Sequence, residues 1–354
     1  MEIKSIMYLI NGKFYTEKIT GMQRYAIEII KELDKIAEPG EFQLLCPLNS
    51  KNIPKYKNIE VVCYGKKRGI IWEQLTMPIY MKKKRIRKSL NLLSIVPMIN
   101  PHGLVVAHGV NYKVNPQFFK TIRDKLSRIW HLINYKWYFK RTEKIVTVSN
   151  FSKAEIIKAY NVPEERITVA PNAWQHMMEI KAAEDTFERF PYLTKQKYYY
   201  SLSSINDNKN FKWIINVANL NSDSQFAIAG GKSLVKYLDR IGINKPNNVF
   251  FLGYVSDEDN KTLMSNCKAF LFPTFYEGFG IPPMEAMACG AEAIVSDTPT
   301  MHEVYEDTVH YINPYKYNVK LDEIMKEKIS PPNKIMNRYK WEESAKILYR
   351  VIRN

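Results

Sequence analysis

The chain has 354 residues, 45% of them hydrophobic and 13% aromatic, with 18 prolines and 14 glycines. That is enough for two domains of ordinary size, each with its own core, and it excludes a disordered, collagenous or disulfide-stapled protein. The formal charge of +16 is unevenly spread: residues 1–175 carry 30 Lys and Arg against 14 Asp and Glu, whereas residues 176–354 carry 22 of each sign, so the first half faces an anionic partner, either lipid headgroups or nucleic acid.

The four cysteines, Cys46, Cys63, Cys267 and Cys289, have no paired spacing and read as reduced core thiols of a cytoplasmic protein. The apolar run at the N-terminus is too short for a signal peptide, and no stretch reaches the ~20 apolar residues of a membrane span.

Taken in order, Ser5-Ile-Met-Tyr-Leu-Ile10 reads as a buried strand, followed by a helix from Gly21 with Tyr25, Ile29, Ile30 and Leu33 on one face. Phe42-Gln-Leu-Leu-Cys46 and Ile59-Glu-Val-Val-Cys63 are further strands. Lys82-Lys-Lys-Arg-Ile-Arg-Lys88 is either a solvated basic face or a lipid-surface patch, where each cation near an anionic leaflet contributes ~1 kcal/mol. Between Arg128 and Arg141, Trp and Tyr stand beside Lys and Arg as at a membrane interface, with several rings assigned to the core. Gly103-Leu-Val-Val-Ala-His108 is a strand ending in histidine, which is either a hydrogen-bonded structural residue or part of a site. Lys144-Ile-Val-Thr-Val-Ser149 leads into a helix capped by Ser149, and Arg166-Ile-Thr-Val-Ala-Pro-Asn172 closes the first domain.

Residues 174–195 read as a linker between a domain of residues 1–173 and one of residues 196–335. In the second domain, Tyr198-Tyr-Tyr-Ser-Leu202 precedes a polar loop from Ser203 to Asn210 and a helix. Two more strands follow, Phe226-Ala-Ile-Ala-Gly230-Gly231 and Val249-Phe-Phe-Leu-Gly253, the latter entering a helix capped by Ser256 or Asp257. Residues 336–354 form a terminal helix with Trp341, Ala345, Leu348 and Val351 on one face. Strands alternate with helices throughout, which implies parallel sheets covered on both faces and a ligand at the strands' carboxyl ends.

The densest chemistry follows the strand Lys268-Ala-Phe-Leu-Phe272. Two glycines in the next loop let backbone amides approach a ligand, Pro282 and Pro283 suit the first turn of a helix over roughly 283–289, and Gly290 suits its C-terminal stop. A helix N-terminus there favours an anion such as a diphosphate. Glu277 and Glu285 frame the loop.

This block, Glu277-Gly-Phe-Gly-Ile-Pro-Pro-Met-Glu285-Ala-Met-Ala-Cys-Gly290, resembles the Glu-x7-Glu signature of retaining GT-B glycosyltransferases of family 4. Trp72-Glu-Gln-Leu-Thr-Met-Pro78 and Val148-Ser-Asn-Phe-Ser-Lys153 are similar to segments of the same family. The resemblance implies an α/β GT-B fold of two Rossmann-like, doubly wound domains facing across a cleft, the first for the acceptor and the second for the nucleotide sugar. It also implies a terminal helix returning to the N-terminal domain. By the same resemblance Glu277 contacts the donor sugar, the amides of Phe279, Gly280 and Ile281 hold the diphosphate, and Glu285 binds the ribose. Lys209 neutralises the leaving diphosphate within the loop that also contains Ser204 and Asn208; Asn208 stands where Arg is common. Tyr254 and Val255 border the nucleotide base, Gly21 approaches the donor phosphates, and His108, followed by Gly109 where Asp is common, lies near the sugar and acceptor.

The implied activity is retaining transfer of a sugar from a nucleotide-diphosphate donor to a glycan or lipid-linked acceptor in bacterial capsule or O-antigen synthesis. Neither a metal nor another cofactor is expected. The expected location is cytoplasmic and peripheral on an anionic membrane face. A sugar-nucleotide 2-epimerase of the same fold is the second reading, which the full Glu-x7-Glu block disfavours. The third, a nucleic-acid-binding protein built on the basic half, has no RNA- or DNA-binding motif behind it.

Overall fold

The structure, a computed structural model, describes residues 8–100, 102–204, 206–230, 234, 237–238 and 242–353. Ser5, Ile6 and Met7 of the first expected strand, Ile205 of the polar loop and Gly231 lie outside the described residues. The chain divides into two compact units, Met1–Asn172 with Trp341–Asn354, and Ala173–Lys340.

The N-terminal unit is built on a seven-stranded parallel sheet. Its strands are β1 (Tyr8–Asn11), β2 (Phe42–Cys46), β3 (Glu60–Cys63), β4 (Lys88–Asn91), β5 (Gly103–Ala107), β6 (Lys144–Thr147) and β7 (Ile167–Val169). The order is β3-β2-β1-β4-β5-β6-β7, so the direction of winding reverses between β1 and β4. Helices cover both faces, which is why β1, β2 and β5 are buried along their whole length instead of alternating. Helix α1 (Gly21–Ile36) opens on a capping box between Thr20 and Gln23 and buries Tyr25, Ile29, Ile30 and Leu33. The chain then runs through a π-helical turn (Trp72–Thr76) into α2 (Met77–Lys84), and later forms the long α3 (Ile122–Arg141) and α4 (Asn150–Tyr160), the last capped by Ser149. In α3 the rings of Tyr135, Tyr138 and Phe139 are core, as the sequence suggests.

The C-terminal unit has a six-stranded parallel sheet. Its strands are β8 (Tyr198–Leu202), β9 (Gln225–Ala229), β10 (Val249–Gly253), β11 (Ala269–Phe272), β12 (Ala293–Ser296) and β13 (His310–Ile312), in the order β10-β9-β8-β11-β12-β13. Its core gathers Trp213, Ile214, Phe226, Ile228, Leu271 and Ile294. Three helices matter below: α5 (His176–Glu179), α6 (Phe211–Leu220) and α7 (Ile281–Ala288).

Residues 174–195 are not a free linker. Trp174 Nε1 donates to the Met336 carbonyl at 2.9 Å, Lys261 Nζ donates to the carbonyls of Met177 and Ile180 at 2.7 Å each, and Arg189 pairs with Asp259. Few apolar residues suffice because hydrogen bonds carry the attachment. At the other end the expected helix over 336–354 is two elements. Asn333–Arg338 stays with the C-terminal unit, and α8 (Trp341–Arg353) lies against α1. Among the cysteines, all free, Cys46 and Cys267 are buried with burial pushing each thiol up to about 12, but Cys63 is exposed on the edge strand β3 and is not a core thiol.

Trp341 is buried and meets the Tyr25 ring edge-on at 5.8 Å between centroids. Trp341→Ala is expected to destabilise the N-terminal unit by about 3–5 kcal/mol through the cavity it leaves, read as a lower urea midpoint for that unit. An unchanged midpoint would contradict the packing described.

Candidate active site

In a parallel sheet the loops at the carboxyl ends diverge where winding reverses, and side chains on them meet in the opening. In the C-terminal unit that point lies between β8 and β11. The loop leaving β8 forms a short 3-10 turn (Asp207–Lys209), stopped by Asn210 at φ +49 with its side-chain amide on the Pro314 carbonyl. The loop leaving β11 carries Glu277. Phe275 N donates to the Asn208 carbonyl at 2.8 Å and joins the two loops. Lys209 Nζ then reaches Glu277 Oε1 at 2.7 Å, with side-chain exposures of 29% and 16%, and lies 5.4 Å from the centre of the Phe272 ring. Two residues named separately in the sequence thus form one part-buried ion pair. Thr300 Oγ1 fixes the Glu277 carbonyl from behind at 2.9 Å.

Three residues beyond Glu277, Gly280 is the N-cap of α7 at φ +87, a left-handed conformation costly for any side chain; a Cβ there would stand 2.8 Å from Met301 Cε. Helix α7 therefore begins at Ile281, earlier than the prolines alone suggest, with Pro282 and Pro283 as its second and third residues. Prolines have no N–H, so the amides left to meet an anion at this end are those of Phe279, Gly280 and Ile281. Tyr305 donates its hydroxyl to the Gly280 carbonyl and holds the turn from below.

Glu285, one helical turn on, accepts from His176 Nε2 at 2.9 Å. His176 is only 2% exposed and belongs to the segment read as linker, so sequence reasoning missed it. The available signal was Trp174-Gln-His-Met-Met178, a half-buried tryptophan and a buried Met177 flanking a histidine. Ser204 and Asn208 are half-buried on the β8 loop, whereas Tyr254 is 73% exposed and Val255 half-buried beyond β10, away from the switch point in strand order. The chain also contains an Asp-x-Asp spacing, Asp257-Glu258-Asp259. Asp259 is buried and accepts from Thr186, Ser256 and Arg189; burial alone would raise its carboxyl, but these donors hold it below the usual range. It staples the segment 174–195 to the unit.

In the N-terminal unit Gly21 is the exposed first residue of α1 with no positive φ. Between β1 and α1 the constrained glycine is Gly12, where a Cβ would stand 2.6 Å from the Leu45 carbonyl and 2.5 Å from Cys46 Sγ. His108 follows β5, with its Nε2 at 2.8 Å from the Leu92 carbonyl and its ring edge-on to Tyr25 at 4.9 Å. Burial pushes its pKa down to about 4 against the pull of that carbonyl, so near neutral pH it is an uncharged imidazole donating through Nε2. At this unit's own switch point Glu73 is buried, accepting from Asn11 Nδ2 at 2.8 Å with Lys13 Nζ 3.6 Å away. Its desolvation raises the carboxyl despite Lys13.

A doubly wound unit with an ion pair and a helix N-terminus at its switch point is what a domain of a GT-B glycosyltransferase would present. The family models agree: residues 183–341 match "Glycosyl transferases group 1" and residues 19–174 match "Glycosyltransferase Family 4". The chain belongs to the family 4 glycosyltransferases. It is 29% identical over 262 residues to the O-antigen chain mannosyltransferase RfbU of Salmonella typhimurium, covering 72% of this chain and 69% of that one. It is 28% identical over 334 residues to the O-antigen chain mannosyltransferase B of Escherichia coli, covering 83% and 84%. Anabaena HepE, solved in complex with UDP and glucose, shares the fold with a TM-score of 0.71 at 14% identity, covering 98% of this chain and 99% of that one.

Because His108 titrates lower in the fold than when unfolded, the unfolded chain binds more protons between about pH 6.5 and 4, and stability falls as pH drops through that window. Wild type should lose up to about 3 kcal/mol more than His108→Gln across it, measured by urea unfolding at stepped pH. Parallel curves would place the imidazole in water.

Proposed function

We propose that the enzyme is a retaining, metal-independent transferase moving a hexosyl group, mannosyl first among candidates, from a nucleoside-diphosphate sugar to a glycan or lipid-linked acceptor in bacterial surface-polysaccharide synthesis. The Lys209–Glu277 pair at the β8/β11 switch point carries the reading. The two mannosyltransferase relatives support the sugar and the setting, and the UDP complex of HepE supports the donor class.

A diphosphate beside Lys209 draws the ammonium from Glu277, leaving the carboxylate to accept hydroxyls of the sugar. The amides of Phe279, Gly280 and Ile281 and the N-terminus of α7 add to the positive field on the departing phosphate, the role a divalent ion has in other transferases. Glu285, steadied by His176, takes the ribose hydroxyls. The bond from C1 to phosphate oxygen breaks as the acceptor oxygen bonds C1 on the same face, and the leaving phosphate takes the acceptor's proton. His108 and Gly21 keep the roles that the family resemblance implies for them, and Ser204, Asn208, Tyr254 and Val255 keep their proposed donor contacts.

The basic unit is proposed to face an anionic membrane surface. Ile122, Leu126, Ile129 and Ile133 are each at least half exposed on α3, at a spacing that makes one apolar stripe, with Arg123, Lys125, Lys136 and Lys140 exposed beside it. Among the described residues no helix is long and apolar enough to cross a membrane.

Lys209→Ala and Glu277→Ala should each lower kcat by about 10²–10³ with the folded state intact, measured with GDP- and UDP-sugars on extracted glycan acceptors. EDTA should leave the wild-type rate unchanged. Near-wild-type turnover in either variant would sink the assignment.

A further inference from the structure

A cavity of about 910 Å³ opens on the N-terminal unit, at the upper end of the range for small-ligand sites. Its wall is apolar: Leu75, Ile79 and Ile99 are 50%, 60% and 71% exposed, over a floor of buried Met81 and Ile86. Such side chains normally scatter on a surface; here they converge on one hollow. Around the rim stand Lys82, Arg85 and Arg87, and none of the three makes an ion pair among the described residues, while Lys88 is paired to Glu143 at 2.8 Å. An apolar hollow ringed by three unpaired cations complements a ligand with a hydrocarbon body and an anionic head.

The hollow is built, not incidental. Gln74 donates to the Val96 carbonyl at 3.1 Å and accepts from Met98 N at 2.8 Å, and Trp137 Nε1 on α3 donates to the Met98 carbonyl at 3.0 Å, so the loop presenting Ile99 is held from both sides. Asn100 Nδ2 bonds the Arg87 carbonyl at 3.3 Å and closes the end. The location excludes the transfer centre. Lys88, His102 and Glu143 are at or just before the amino ends of β4, β5 and β6, whereas His108 follows the carboxyl end of β5, a strand length or about 16 Å away.

We propose that this hollow is a binding site for one anionic phospholipid of the bilayer, its chain against Leu75, Ile79 and Ile99 and its phosphate on Lys82, Arg85 and Arg87. The site deepens the membrane-surface reading of the N-terminal unit by adding a discrete lipid to the diffuse attraction of the basic face. It is separate from donor chemistry.

The test titrates the full chain with short-chain phosphatidylglycerol below its micellar concentration, with the matching phosphatidylcholine, with glycerol phosphate, and with phosphatidylglycerol vesicles. Saturable binding of one phosphatidylglycerol monomer per chain is expected, weakened roughly tenfold or more by Ile79→Asp and by Arg85→Gln with Arg87→Gln, with GDP and UDP binding unchanged. All three positions are exposed, so the variants should fold as wild type does. Equal affinity for phosphatidylcholine or glycerol phosphate would overturn the site, because head charge or chain would then contribute nothing. Vesicle binding without monomer binding would overturn it too, while leaving the surface reading through α3 in place; failure of vesicle binding as well would remove both.

Discussion

The Lys209–Glu277 ion pair is the contact on which the proposed chemistry of the C-terminal unit depends. Both residues leave the carboxyl ends of strands that flank the change of winding, and each alone would be a part-buried charge with little solvent to stabilise it. Together they offset that cost while keeping an ammonium and a carboxylate at one point; in the proposed mechanism the donor separates them, phosphate for the lysine and hydroxyls for the glutamate. The surrounding bonds serve that position. The left-handed Asn210 ends the lysine's turn, the bond from Phe275 N to the Asn208 carbonyl sets the spacing of the loops, and Thr300 anchors the glutamate's backbone.

The N-terminal unit is organised by burial and by surplus charge. Trp341 on the returning helix packs on Tyr25, and Tyr25 packs on His108, so the last helix of the chain supports a ring at the end of β5 within one unit. At the opposite end of the same sheet, and along α3, the unit exposes apolar side chains beside cations. A sheet with polar chemistry at its carboxyl ends and amphiphilic surface elsewhere can serve two partners without competition between them.

The alternation of strands and helices, and the loop from Glu277 to Gly290, were legible because proline and glycine act locally: two prolines start a helix and a glycine stops it whatever surrounds them. Features set by distant contacts were not. Helix α7 begins at Ile281 because Gly280 takes a conformation that Met301 and Phe272 leave no room to fill with a side chain. Gly12, not Gly21, is the glycine a neighbouring strand requires. His176 was hidden in a polar segment whose attachment runs through Trp174, Lys261 and the Arg189–Asp259 pair, and that same pair makes structural use of the chain's Asp-x-Asp spacing. Cys63 is exposed at the end of an edge strand, which a short apolar run does not reveal.

The most direct test of the ion pair as the donor site is the affinity of Glu277→Gln for bare GDP and UDP, measured by calorimetry. With the competing carboxylate gone, Lys209 is released to the diphosphate, so the variant should bind the nucleotide as tightly as wild type or more tightly while sugar transfer collapses. Nucleotide affinity and transfer falling together, or neither changing, would contradict the account.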